Sequence, residues 1–302
     1  MSAILVSGLV NLETTLQVAG FPVTYTPVRY PFFGVDSGVS GVGYNVAKAL
    51  TTLGDEVRLL SIIGRNEVGL LVRESLKAAG IAEDFLVDQM ERTPHSVILY
   101  DRTGRRQINV DLKDVQEQVY PEALAGKALD ECSVAVLCNV SFSRPLLARA
   151  REGNKLIATD VHAISDLDDA YNRDFMAHAD VLFMSDELLP CSPEEWARAA
   201  LARYGPDVLV IGMGAEGALL AVKSDRTLKR VKAVRIREVV STVGAGDALF
   251  SAFVHLYSRS GDAREAIEKA AVFASYKIGE SGAAEGFLDA DALDDVWRGS
   301  RS

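Results

Sequence analysis

The chain has 302 residues, 48% of them hydrophobic, enough for a large packed core. A formal net charge of −10 argues against nucleic acid as a partner, because that binding rests on Lys and Arg neutralising phosphates; a small nucleotide stays open, since backbone amides and a divalent cation supply positive charge locally. There is no apolar run long enough to span a membrane and no basic, apolar leader, and the three scattered cysteines, Cys132, Cys138 and Cys191, fit a reducing, cytoplasmic compartment and no structural zinc site.

Residues 4–9 form a short apolar run, which reads as a buried strand. Residues 14–33 alternate loosely and carry Pro22, Pro27 and Pro31 among Phe21, Tyr25, Tyr30, Phe32 and Phe33. They are expected to form exposed strands with prolines at edges or turns. From Val42 the period is helical, with Val46, Ala49, Leu50 and Leu53 on one face and Gly54 as the stop. A strand over 57–63 and a helix over 67–79 follow. Residues 96–100 and 107–110 flank a turn-forming stretch and read as a hairpin. Together with 14–33 it could form a small sheet separate from the main one.

From residue 121 the rhythm is strand then helix. Strands are expected over 133–139, 155–160, 181–184 and 207–212, with helices over 145–151, 169–178 and 193–204. The last helix opens on a capping box, Ser192-Pro193-Glu194-Glu195. This alternation predicts a mostly parallel sheet covered on both faces, and the whole chain, 1–302, reads as one domain. Late helices are expected over 262–278 and 290–297.

The stretch from Val240 to Phe250 carries the chemistry. Gly244, Ala245 and Gly246 permit a sharp turn, and the apolar residues after them read as a helix. A glycine turn that opens a helix aims unpaired N–H groups and the positive end of the helix dipole outward, which suits an anion. Asp247 either caps that helix or stands as a base beside the anion, the arrangement phosphoryl transfer needs. Gly41, Gly43 and Asn45 open an earlier helix, and Glu13 follows the first strand. Gly212-Met213-Gly214-Ala215-Glu216-Gly217 matches a dinucleotide fingerprint, but residues 218–222 read as a strand, so no helix opens there. The histidines, His95, His162, His178 and His255, show no triad or metal spacing and read as structural or surface residues.

Thr242-Val243-Gly244-Ala245-Gly246-Asp247 resembles the carboxy-terminal signature of the PfkB (ribokinase-like) family of carbohydrate and nucleoside kinases. Ser40-Gly41-Val42-Gly43-Tyr44-Asn45-Val46-Ala47, then Gly54 and Gly64, resembles its amino-terminal signature. The resemblance covers nearly the whole chain and implies a ribokinase-like fold: a Rossmann-like, mostly parallel α/β sheet flanked by helices. A β-sheet lid would be made by insertions at about 14–33 and 95–111. The implied reaction moves the γ-phosphoryl of ATP, with Mg²⁺, to an alcohol group of a sugar or nucleoside. The resemblance makes Asp247 the base and the amides of Gly244, Ala245 and Gly246 an anion hole. It gives Glu13, Gly41, Gly43 and Asn45 to the acceptor, and Gly212, Gly214, Gly217 and Thr242 to the nucleotide. Glu187 would orient Mg²⁺-bound water. A homodimer through the lid is implied.

The chain departs from the family pattern at five places. Glu13 stands where Asp is usual, Met184 where Asn is, Gly212 where Thr is, and Asp160-Val161-His162 replaces Asp-Pro-Asn. Ser241 replaces a usual Asp, which leaves a monovalent-cation requirement open. Two rival readings follow: a nucleotide-sensing binding protein on a kinase scaffold, and a nicotinamide-dependent oxidoreductase. Among acceptors, a phosphosugar ranks last. It would need a cation near Asn45, and of the candidates Arg29, Arg105 and Arg106, the last two sit in a hairpin expected to face solvent.

Overall fold

The buried apolar runs become the strands of one large sheet. The computed structural model describes residues 3–300. Strand β1 (Ala3–Ser7) is buried throughout. The chain then leaves the main layer for β2 (Asn11–Gln17) and β3 (Val35–Ser40). It returns through α1 (Val42–Thr52), β4 (Val57–Gly64), α2 (Glu67–Ala78) and β5 (Leu86–Met90). A second excursion forms β6 (His95–Tyr100) and β7 (Arg106–Asp111). Strict alternation follows: α3 (Glu122–Asp130), β8 (Cys132–Leu137), α4 (Arg144–Glu152), β9 (Leu156–Ala163), α5 (Arg173–His178), β10 (Val181–Ser185), α6 (Pro193–Tyr204) and β11 (Val208–Gly212). After the hairpin β12 (Ala218–Val222) and β13 (Thr227–Val231) come α7 (Ala245–Ser260), α8 (Ala263–Lys277) and α9 (Ala290–Ser300).

The large sheet has nine strands in the order β13-β12-β11-β10-β9-β8-β1-β4-β5, parallel from β11 to β5. Its side chains alternate between two cores, as a pleated strand requires. Ile4 and Val6 face α1, α2, α7 and α8; Ala3 and Leu5 face α3, α4, α5 and α6. Asp55, buried after α1, pairs with His255 Nδ1 at 2.7 Å and accepts from Arg259 Nη1 at 2.6 Å, tying α7 to the start of the chain. The capping box of α6 is present, and Gly205 closes that helix in the left-handed region at φ 63°.

The second sheet has four strands in the order β3-β2-β6-β7. Its β6–β7 hairpin lies where the sequence pattern placed it. Of residues 14–33, expected as strands, only 14–17 are, within β2; residues 18–34 form a loop, and the strand that pairs antiparallel with β2 is β3, at Val35–Ser40. Three prolines in 22–31 withhold ladder donors, so pairing resumes only after the last of them. Val35-Asp36-Ser37-Gly38-Val39-Ser40 is too polar to announce a strand, and the exposed edge strand β5 and β13 are hidden for the same reason. At the glycine-rich hairpin, β11 runs antiparallel into β12 through a single 3-10 turn, Gly214–Glu216, and no α-helix opens. Gly217 at φ 100° fits there because a Cβ would lie 2.0 Å from the Val231 carbonyl oxygen.

Candidate active site

β1 has β8 on one side and β4 on the other, so the direction of winding reverses beside it, and ligand clefts open at the carboxyl ends of the strands at such a point. Those ends carry the candidate residues. Asp160 and His162 lie near the end of β9, Ser185 ends β10 with Asp186 and Glu187 just beyond, and Gly212 ends β11. Met184, where the family places Asn, turns inward. It is 3% exposed, and its sulfur accepts from Trp196 Nε1 at 3.2 Å.

The glycine turn before α7 has the shape its sequence suggested, with one change in its donors. Gly244 is the N-cap in the left-handed region, φ 77°, and a Cβ there would lie 2.2 Å from the Ala283 carbonyl oxygen. Gly246, in contrast, is helical and exposed, and a Cβ there would meet nothing within 4 Å. The Ala245 amide donates to the Thr242 carbonyl at 3.2 Å and closes the turn, so of the expected Gly244–Ala245–Gly246 set it is the one with an acceptor inside the protein. The amides of Gly244, Gly246 and Asp247 have no acceptor among the described residues, as the first turn of a helix leaves them.

Asp247 stands half-buried in that first turn and is held from across the chain. Asn45 Nδ2 donates to its Oδ2 at 2.7 Å. Ser40 Oγ lies 3.3 Å from Asn45 Oδ1 and 3.1 Å from Glu13 Oε2, sharing its single proton between them. A continuous line of polar atoms therefore runs from β2 through the end of β3 and α1 to α7. Burial holds the Asp247 carboxyl above the usual carboxylate range. The Asn45 hydrogen bond opposes that shift, as do the nearby His162 ring and the Lys277 ammonium, while Asp160 adds to it. Glu13 is raised too, first by burial and then by Asp247, against Ser40 and Lys277.

Gly41 and Gly43 are glycine for a packing reason. A Cβ on Gly41, at φ 98°, would lie 2.6 Å from the Leu9 carbonyl oxygen, and one on Gly43 2.5 Å from the Gly8 carbonyl carbon. Their missing side chains thus face the chain's own backbone at the β1–β2 corner. Gly212, Gly214 and Gly217 shape the β11–β12 turn.

Three site residues were not singled out from the sequence. Ser40 joins Glu13 to Asn45, a contact that depends on β2–β3 pairing. Lys277 is fully buried beneath the glycine turn, where its ammonium donates to the carbonyls of Val243 and Gly282. Its position four residues after Phe273 and seven after Ala270, both buried, was a usable signal. His162, read as structural or surface, sits at φ 58° close enough to Asp247 to favour its ionised form.

Arg106 also differs from expectation. It was expected to face solvent, but its guanidinium crosses to the other wall of the cleft. Nη1 donates to Thr242 O and Oγ1, both at 3.3 Å, and Nη2 to Glu187 Oε1 at 3.4 Å. Ile98 of β6 packs on Val243 and Ala283, which sets the small sheet against the glycine turn. Tyr25, Tyr30, Phe32 and Phe33 do not enter the cleft floor; they stand exposed on the 18–34 loop, with Tyr30 and Phe32 stacked. Among the described residues no cluster of three His, Cys, Asp or Glu side chains could hold a metal by itself.

Residues 1–290 match the family model described as pfkB family carbohydrate kinase. The chain is 26% identical over 291 residues to a deoxyribokinase of Salmonella typhi, covering 91% of this chain and 92% of that one. It is 32% identical over 256 residues to a 1-phosphofructokinase of Haloferax volcanii, covering 80% of each. Among solved structures, a microbiome-derived acarbose kinase superposes with a TM-score of 0.88 at 25% identity, over 99% of both chains. With that match along its length, and with the glycine turn, carboxylate and cleft placed together, the chain is a kinase belonging to the pfkB carbohydrate kinase family.

Proposed function

We propose that the chain moves the γ-phosphoryl of ATP to a hydroxyl of an unphosphorylated sugar or a nucleoside. The observation that carries this reading is Asp247: a carboxylate pinned at Oδ2 by Asn45, beside helix-start amides that lack acceptors. Its other oxygen, Oδ1, takes the proton of the attacking hydroxyl as the oxygen–phosphorus bond forms and the bond to the ADP oxygen breaks. The amides of Gly244, Gly246 and Asp247 hold charge developing on the phosphoryl oxygens. Thr242 and the Gly212–Gly217 turn line the nucleotide side. Glu187, exposed at the end of β10, fits a Mg²⁺ ion that keeps its water and takes most ligands from phosphates, and such an ion supplies charge neutralisation. Glu13, Ser40 and Asn45 offer the acceptor hydroxyl partners of both donor and acceptor kind.

The small sheet acts as a lid. Arg106 on it would bind the transferred phosphoryl and exclude water when the cleft closes. Its outer face and the exposed aromatics of the 18–34 loop suit a second copy of the chain, giving a homodimer. A cytoplasmic location, where ATP is available, goes with this reading. A phosphosugar is the second reading, because Arg106 does reach the cleft and a phosphofructokinase is among the relatives. The deciding experiment follows ADP release over pentoses, hexoses, phosphosugars and nucleosides. Turnover with a free sugar or nucleoside supports the first reading. A phosphosugar preferred a hundredfold, about 2.7 kcal/mol in kcat/KM, establishes the second. ATP binding without turnover on any acceptor would sink both and leave a nucleotide sensor.

A further inference from the structure

Lys277 ends α8 with 0% of its surface exposed, and its hydrogen bonds go to backbone carbonyls. A buried ammonium is costly unless it is paired, so this one has a function to account for. One carbonyl belongs to Val243, the residue before Gly244. The other, 2.6 Å away, belongs to Gly282, the residue before Ala283, whose carbonyl presses on Gly244. The ammonium therefore links the two loops that set the shape of the glycine turn. Backbone carbonyls converging on a buried positive charge are the ligands a monovalent metal ion takes. Ser241, in contrast, brings no charge, and its hydroxyl only accepts from the Val243 amide at 3.3 Å.

We propose that the Lys277 ammonium is a built-in monovalent cation, which holds the α7 glycine turn in its working shape and frees phosphotransfer from any need for potassium or ammonium ions. The groups that face it are Asp247 from α7, Glu13 from β2, and Glu285 and Arg237 from the flanking loops. Glu285 is already paired with Lys48 at 2.8 Å and Arg237 with Glu280 at 3.1 Å, which leaves Asp247 and Glu13 as the acids that favour its charge. Burial opposes them and brings its pKa down to about 8, so the side chain stays charged at neutral pH. Lys277 is thus a positioning residue that acts through the turn.

The proposal rests on the phosphotransfer reading, and the test separates the two. Wild-type protein is assayed in choline chloride and again with potassium or ammonium chloride, on the acceptor that turns over fastest. The rates should agree within about twofold. Lys277→Ala, which opens a carbonyl-lined hole, should lose about a hundredfold in kcat in choline, as removal of one oxyanion-hole donor does. Potassium or ammonium should restore at least about tenfold of that loss, which a merely structural lysine would not allow. Potassium should likewise raise the melting temperature of the variant and leave that of the wild type unchanged, a readout that needs no turnover. A wild type that requires potassium overturns the proposal, even if the variant does not fold. So does a folded variant that keeps its rate in choline or is not rescued. Absence of turnover by the wild type in every salt would remove the kinase reading and leave the melting comparison to decide this one.

Discussion

Gly244 and Gly246 stand two residues apart in one turn, yet their replacement should fail in different ways. In Gly244→Ala the new Cβ would sit 2.2 Å from the Ala283 carbonyl oxygen, where ordinary contact begins at 3.4 Å, and φ 77° disfavours any side chain. The left-handed backbone costs about 1–3 kcal/mol and the overpacking about 1–3 more, so a loss of roughly 2–6 kcal/mol is expected. In Gly246→Val the added carbons meet open space. The helix gains slightly from losing a glycine, so stability should move by less than about 1 kcal/mol. The isopropyl group would, however, cover the amides of Gly246 and Asp247, and kcat/KM should fall by about a hundredfold or more. Urea unfolding measures the first effect as a lower midpoint at constant slope, and steady-state kinetics on the same preparations measures the second. A well-folded Gly246→Val with wild-type kcat/KM would refute an anion site at this turn. An unshifted midpoint in Gly244→Ala would refute the packing account.

Asp247→Asn should keep the fold, since an amide oxygen still accepts from Asn45, and lose about a hundredfold or more in kcat; half the wild-type rate would make Asp247 a helix cap. Arg106→Ala should leave melting unchanged and lower kcat/KM by about tenfold to a hundredfold, the worth of one charged hydrogen bond, and normal kinetics would remove the lid arginine from the mechanism. The pH responses of activity and stability should diverge. Lys277 is lowered from 10.5 to about 8 by burial, so between those values the unfolded chain binds the extra proton and stability rises with pH. Over the same window kcat/KM should fall as the ammonium is lost, and two curves falling together would contradict the assignment. On the acid side kcat/KM should decline above the usual carboxylate range, because Asp247 and Glu13 are both raised. Light scattering should show a dimer that becomes monomeric when Tyr25, Tyr30, Phe32 and Phe33 are changed to Ser; a monomeric wild type with unaltered variant kinetics would end that idea.

Some of this was legible from local pattern and some was not. Alternating apolar strands and amphipathic helices announced the parallel sheet, because each element's periodicity reports which face it buries. The glycine turn before α7 was readable because its backbone demands are local. β3 was misplaced because an edge strand in contact with solvent has no need of apolar residues. The reach of Arg106 depends on β6–β7 register, which sets it opposite Tyr100, and on Ile98 seating the small sheet against Val243. Neither relation is local. The turn bond of the Ala245 amide was not legible, because the residues of a turn do not say which amide the turn uses for itself. Lys277 was readable in principle: a helical wheel puts it among Phe273, Ala270 and Ala266.

The hydrogen bond from Asn45 to Asp247 spans 202 positions of chain, and the Asp55–His255 pair spans 200. That separation constrains biosynthesis. When translation has passed β13, every strand of both sheets exists, but α1 and one face of the large sheet still lack α7 and α8. Roughly 50 further residues, several seconds at about 5–20 residues per second, must follow before Gly282 meets Lys277. In that interval the nascent polypeptide exposes a broad apolar face, a target for chaperones and a risk of aggregation. Contacts this distant in sequence also make late folding slow. On the proposed mechanism the same delay would keep an unfinished chain from consuming ATP: the proposed base and the amides beside it come from the last fifth of the sequence, and they arrive together.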